Sequence, residues 1–586
     1  MPVATAERVP AEPATATAAS WTPESSPGWL RRAFTIISVI ALVPAVQGLW
    51  TASVAPPASL SGHLLSPQVL HSTLLLTAVA AFCVLLLSGI IAIGAPHRRV
   101  AGIVDVVVLA VGIVLALGRF ALSHKPNDEG ALTARAAFAL LHHQPVYGVN
   151  WPAVFTTVPL TKTMNGGGDY QYGYPPLDVL VTAGVGAVLH HTTIAATLVT
   201  MGAFLVAVVV LWFRVAPVWR PGVTLVMLAL DQLAGFARGG SPILIAIALL
   251  VPVFLRFDLT GIGGRLGPVG LAKGAALGAA CAAQQLAWFV VPFVALSLYA
   301  LRARELGHRR AALLVGRYLA SAAVAWFLID LPFAVSQPGA WLRGIILPLD
   351  QHAIVHGQSL VDIPYLVTRG SGALDLFSAA TVVLLVGLLT AMVLFPGRLG
   401  PALVIMPVSV FTVATRGAYD YWVQFSPLWL AVAATVPLDH FRRAWRPKRI
   451  DAMSPAIKGV LAGLLVTPAL VIALVGAFAP PPLQLHLVAT RPAAGHPTRL
   501  GEVDLTAVNV SGHPLSPHFA YRVTGGASNW WRVLRGPATL APGQRASYAI
   551  LPSNASLTLQ PGTALIVVSD RPMTISVLPM PASLHG

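Results

Sequence analysis

Apolar runs of about 20 residues recur between positions 33 and 479, and each can cross a hydrocarbon core of about 30 Å as a helix. Inside hydrocarbon every backbone N–H and C=O must find its partner within the protein, so runs of this length leave a bundle of membrane helices as the framework. Composition agrees. Of 586 residues, 56% are hydrophobic and only 10% are charged, with a mean hydropathy of +0.74, where soluble domains carry about 25% charged residues. An ordinary soluble enzyme is excluded. The net charge of +16 is no nucleic-acid footprint, because its Lys and Arg residues lie in short loops between the runs, where they set orientation. Cys83 and Cys281 both fall inside apolar runs, which argues against a disulfide framework or a Cys-based metal site.

Residues 1–28 are rich in Ala, Pro, Thr and Ser and read as a disordered cytoplasmic tail. Arg31 and Arg32 precede a first span at about 33–55, and a second at about 69–94 returns to His97, Arg98 and Arg99, giving an N-terminal hairpin over 29–100. A third run, about 101–122, opens the main membrane domain at 101–480 and leads into a long polar loop, 123–173, expected outside. Arg302, Arg304, Arg309 and Arg310 mark an inside loop, as does the cluster from Arg442 to Arg449, which leaves 335–373 outside. Loops 214–220 and 256–273 both read as inside, which holds only if either 174–190 or 193–213 fails to span. The short stretch 174–190, opening Tyr174-Pro175-Pro176, is expected to lie as a half-embedded helix. The expectation is a multi-pass cell-membrane protein of about thirteen spans, N-terminus cytoplasmic and C-terminal domain extracytoplasmic.

From 481 to 586 the pattern changes to short alternating runs such as VDLTAVNV, HFAYRV, ALIVV and TISVLP, separated by turn residues. This predicts a small antiparallel β-sandwich. Trp530 and Trp531 are adjacent, and neighbouring strand residues face opposite ways, so at most one of them belongs to its core.

Polar residues gather in the outer loops and at the outer ends of spans, which favours chemistry at that surface over a transport path through the bilayer. Asp128 and Glu129 stand just beyond a span, placed to accept a hydroxyl proton, or else to cap and charge the first turn of a helix starting near Gly130. Asp169, Tyr172 and Tyr174 lie in a Gly- and Tyr-rich stretch suited to stacking against a sugar ring or to interface anchoring. Gln284 and Gln285 interrupt an apolar stretch between two short helices, either to bond a substrate or to cap backbone groups. Arg238 is expected outside, against the charge bias, where a guanidinium can hold a phosphate with two hydrogen bonds. His352 and His356 have an i, i+4 spacing that can bind metal, but no third ligand is apparent; a phosphate or hydroxyl contact is the preferred role. Gln358 and Ser359 follow, and Arg416 to Trp422 form another outer boundary with interface anchoring as the plain reading.

In this order, the places resemble the GT-C class of membrane glycosyltransferases, in the family-87-like branch of polyprenyl-phosphate-mannose-dependent mannosyltransferases. The likeness rests on the loop acid, on Leu140-Leu141-His142-His143-Gln144-Pro145-Val146-Tyr147 and on Tyr174-Pro175-Pro176-Leu177. It rests also, more loosely, on Gly239-Gly240-Ser241-Pro242-Ile243-Leu244, Lys273-Gly274…Gly278…Gln284-Gln285 and Gly357-Gln358-Ser359-Leu360. It covers roughly residues 101–440. Gln284 stands where the family has Lys, and Gly357 where it has Asn.

The resemblance implies transfer of a sugar, mannose favoured, from a polyprenyl-phosphate donor in the membrane lipid to a glycolipid or polysaccharide hydroxyl outside. No cofactor is implied, a divalent-metal requirement stays open, and no nucleic acid is involved. Asp128 or Glu129 would be the base. Arg238, with His352 or His356, would steady the leaving phosphate, and Tyr172, Tyr174 and Tyr419 would frame the sugars. The competing expectations are an arabinofuranosyltransferase of the same class, a lipid or glycan transporter, and a non-catalytic assembly protein.

Overall fold

The computed structural model describes residues 28–54, 67–94, 97–417, 419–493, 495–523, 526–553, 557–558 and 562–581. The expected tail lies outside them, apart from Gly28, which already opens the first helix. The described chain is mostly helical with a β region at its C-terminal end. Eight helices are long and apolar enough to cross a membrane: Gly28–Val54, His71–Gly94, Arg98–Leu122, Thr192–Arg214, Gln285–Leu306, His308–Ser336, Asp375–Leu394 and Pro455–Phe478.

Against the sequence expectation of about thirteen spans, eight helices among the described residues meet that requirement, or nine if the pair Pro396–Val404 and Met406–Val413, bent by 81°, counts as one. The difference comes from breaks that hydropathy cannot register. In the apolar segment 220–254 the chain passes through a π-helical turn at Leu225–Ala229, then turns with Asp231 at φ 57° and Gly240 at φ 81°. Between 396 and 413, Pro396, Pro401 and Pro407 each stand in the first turn of a short helical piece, where the N–H that proline lacks would have no partner in the helix. The helix Leu177–Leu189 has 13 residues, about 20 Å at 1.5 Å per residue and too short for a full crossing.

Loops that the charge bias assigns to one side touch one another. Arg302 Nε donates to Thr260 O (2.9 Å), His440 Nδ1 meets Asp258 Oδ2 (2.7 Å), and Arg304 Nη1 donates to Arg443 O (3.1 Å). At the other end of the span Gln285–Leu306, Gln285 Nε2 donates to Gly173 O (2.6 Å) and Ile345 O (2.8 Å), tying the two long polar loops together.

The strands are β1 (His356–Gly357), β2 (Gly370–Ser371), β3 (Arg416–Gly417), β4 (Leu483–Ala493), β5 (His496–Asn509), β6 (His518–Val523), β7 (Gly526–Ala527), β8 (Arg532–Arg535), β9 (Arg545–Leu551), β10 (Ala564–Ser569) and β11 (Thr574–Pro579). A four-stranded sheet in the order β4-β5-β9-β8 faces a five-stranded sheet in the order β2-β11-β10-β6-β7, and β1 pairs with β3 alone. Leu505, Tyr548 and Ile550 from the first sheet share one core with Phe519, Leu565 and Val567 from the second, which makes a sandwich. Trp531 joins that core, while its neighbour Trp530 does not.

The second sheet is buried on both faces. Ile566, Val568 and Ile575 pack with Phe377, Leu384, Ala469 and Ala473 of the helices, which explains why β10 reads as an unbroken apolar run rather than an alternating one. Strand β2, contributed by the helical region, extends this sheet by pairing Gly370 with Ser576 and Ser371 with Ile575. Ile566→Ala is expected to destabilise this seam by about 2–4 kcal/mol. Limited proteolysis should then cut the variant near residue 481 faster than the wild type, and equal cutting would show that the helices do not depend on that side chain for their hold on the sandwich.

Candidate active site

The helix Asp128–Leu141 begins at a tight contact. Asn127 is its N-cap, accepting from Gly130 N at 2.8 Å, while its own N–H donates to Gly239 O (2.8 Å) and its Nδ2 to Ser241 Oγ (2.8 Å). A Cβ at Gly130 would fall 2.3 Å from Gly239 O, so only glycine allows this approach. Thr133 Oγ1 donates to Asp178 Oδ2 (2.9 Å) and braces the helix against Leu177–Leu189. Because Asn127 takes the capping role, Asp128 and Glu129 are both first-turn acids, favoured there by the helix dipole.

The two acids have different surroundings. Glu129 Oε1 accepts from Tyr174 OH at 3.0 Å, and burial first, then the adjacent Asp128, push its carboxyl up to about 7. Asp128 accepts one long bond, from Thr161 Oγ1 at 3.3 Å. Asp169 is held above the usual carboxylate range by burial, opposed by the bond from Gln171 N (3.0 Å) and by Arg416. With its amide turned to satisfy both neighbours, Gln351 donates to Asp169 Oδ2 (2.7 Å) and accepts from Arg416 Nη1 (3.1 Å).

Two cavities meet here. A chamber of about 500 Å³ carries Asp128, Glu129, Asp169 and Tyr174 on its polar side and Leu286, Phe289, Leu385 and Phe411 on its apolar side. A cleft of about 850 Å³ opens against the sandwich, with Phe155, Tyr170, Tyr521 and Trp530 among its walls. Asp128, Phe155, Thr161 and Arg416 line both. Four buried polar atoms of chamber residues have no partner: Gln285 Oε1, Arg416 Nε, Asp420 Oδ1 and Gln424 Oε1. Buried polar groups are rarely left unmatched in a folded chain, so four of them among the residues lining one chamber mark a place for a ligand.

The structure brings Asp128, Glu129, Asp169, Tyr174, Gln284 and Gln285 together around this chamber. Gln284 also serves its neighbour, accepting from Gln285 N at 2.7 Å. The other sequence candidates lie elsewhere. Tyr172 is fully buried beside Tyr147 and Tyr174 and offers no face to a sugar. Tyr419 is 46% exposed, whereas Tyr421, two residues on and around the helix, lines the chamber. Arg238 is clasped by Asp231 through Nη1 (2.9 Å) and Nη2 (3.1 Å) and is absent from the chamber wall. His352 lines an adjoining pocket of about 270 Å³, its Nδ1 2.7 Å from Asp570 Oδ1 of the sandwich. The His356 side chain lies outside the described residues, though its backbone pairs with Arg416, and Gln358 lines none of the three cavities.

The residues missed as candidates are Thr161, Gln351, Arg416, Tyr421 and Gln424. Arg416 was visible as a cation opening an aromatic run, but that pattern equally describes an interface anchor. Among the described residues no group of three or more His, Cys, Asp or Glu side chains is arranged to hold a metal ion. No family model, curated protein or solved structure matches this chain.

The raised Glu129 carboxyl has a definite sign. Below its usual value of 4.5 it is protonated in both folded and unfolded chains, and its contribution to stability is fully present. As pH rises to about 7 the unfolded carboxyl ionises freely while the buried one resists, and that contribution is lost, an effect of about 3 kcal/mol. The melting midpoint in detergent should therefore fall between pH 5 and pH 8, with a smaller fall in Glu129→Gln; identical falls would show that Glu129 is not the group responsible.

Proposed function

We propose that the chain is a GT-C-like glycosyltransferase that moves a sugar, mannose favoured and arabinofuranose the rival, from a polyprenyl-phosphate donor to a glycan or glycolipid hydroxyl on the extracytoplasmic face. The observation that carries this reading is the position of Asp128 on the shared wall of an apolar-sided chamber and an aromatic cleft. A prenyl donor needs an apolar wall beside polar groups, and an extended acceptor needs a polar cleft with aromatic faces. Transfer needs a base where the two meet.

In this reaction the acceptor oxygen attacks C1 of the donor sugar. The C1–O bond to phosphate breaks, a new C1–O bond forms, and the acceptor proton passes to a carboxylate while the lipid phosphate leaves with the bonding pair. Asp128 is the base of choice, because Thr161 occupies only part of its acceptor capacity and it borders the cleft from which the hydroxyl arrives. Glu129, held by Tyr174 and pushed up to about 7, is the neutral neighbour through the acid half of the pH range. Two adjacent carboxyls with split environments divide the work between a base and a hydrogen-bonding partner.

Vesicles containing the protein should transfer labelled sugar from synthetic polyprenyl-phosphate-mannose, and Asp128→Asn should lower the rate about 100-fold or more. Glu129→Gln should keep a measurable rate and lose a pH inflection near 7. If neither a mannose nor an arabinofuranose donor yields product, the transferase reading fails and the transporter reading takes its place.

A further inference from the structure

We propose that Arg416 is the anion-binding residue of the chamber and takes the phosphate of a prenyl-phosphate lipid, a role that rests on reading the chamber as the donor site. Among the described residues it is the only Lys or Arg lining the chamber, and its Nε is buried without a partner. None of the ion pairs among the described residues includes it. Its one direct hold is the Gln351 amide, a neutral group. Asp169 and Glu129 feel its charge without forming an ion pair with it, and its planar fork matches a phosphate. Arg238 is the contrast: Asp231 holds it at both nitrogens, and Arg119 Nη1 meets the same carboxylate at 2.5 Å.

The backbone sets Arg416 in place. β1 and β3 pair in parallel, His356 with Arg416 and Gly357 with Gly417. Gly417 lies so close to Ser359 that a Cβ would come within 2.3 Å of that side chain. This strap lays the guanidinium across the wall shared by chamber and cleft, where the bond to the phosphate would break. Val382, Leu385, Phe289 and Phe411 provide apolar surface in the same chamber for the prenyl chain.

Binding of farnesyl phosphate, farnesol and inorganic phosphate to the full-length protein in detergent tests the assignment, with melting curves run in parallel. Arg416→Gln should weaken farnesyl phosphate about tenfold or more and leave farnesol unchanged, because only the charged contact is removed. Arg416→Lys should recover part of the loss, and Arg238→Gln should bind as the wild type does. The assignment is overturned if farnesyl phosphate binds a folded Arg416→Gln unchanged, if farnesol loses as much, or if inorganic phosphate binds as tightly as the prenyl ester. Arg416-dependent binding with no sugar transfer by the wild type would keep the anion site and remove the transferase reading. Transfer with binding indifferent to Arg416 would do the reverse.

Discussion

The site depends on one close contact, between the first turn of helix Asp128–Leu141 and the backbone at Gly239-Gly240-Ser241. Gly130 permits the approach, and Asn127 secures it with a backbone and a side-chain bond. Everything downstream inherits this geometry. Because Asn127 satisfies the helix start, the two acids that follow are not consumed as caps and are presented to the chamber. The same contact joins a loop to a turn more than 100 residues later, so the acids are held between two separate parts of the helical body.

The sandwich is equally bound to that body. Its five-stranded sheet has apolar side chains on both faces, one toward its own core and one toward the helices, and it takes an edge strand from residues 370–371. Trp530 Nε1 donates to Gly167 O at 2.7 Å, at the tip of the loop whose two arms carry Thr161 and Asp169. The sandwich thus forms one wall of the cleft and also holds the loop that forms another. Local packing and site geometry are coupled here, since a shift of the sandwich moves the Thr161 hydroxyl that Asp128 accepts from.

Several elements were legible from local pattern. The expected spans 33–55, 69–94, 193–213 and 456–479 lie within a few residues of helices Gly28–Val54, Pro67–Gly94, Thr192–Arg214 and Pro455–Phe478, because an uninterrupted apolar run in hydrocarbon has one backbone solution. The alternation after residue 481 was legible as a sandwich, and of the adjacent pair only Trp531 joins its core, although both residues precede β8 rather than lie in a strand. Broken helices were not legible. Hydropathy averages over a window and reads the segments at 220–254 and 396–413 as spans, whereas a single left-handed residue or proline ends a helix there. Site membership was legible in part. Asp128, Glu129, Asp169, Tyr174 and the Gln pair stand out as polar residues in apolar or aromatic surroundings, but so do Arg238, Tyr172 and Tyr419, which have other partners or none in the chamber.

What the sequence determined by itself is whatever follows from local periodicity and the bilayer constraint: a helical chain built for hydrocarbon, a β-sandwich at its C-terminal end, and an acid pair at the start of a helix beyond a span. The tertiary structure alone decided which of two guanidinium groups is held in an ion pair. Arg238 and Arg416 are alike as residues, yet the αL turn at Asp231 sets a carboxylate against one, while the strap β1–β3 lays the other beside a neutral amide. A side chain's charge is a property of its residue type. Its availability depends on which distant carboxylate the fold brings within hydrogen-bonding distance, and no local pattern records that.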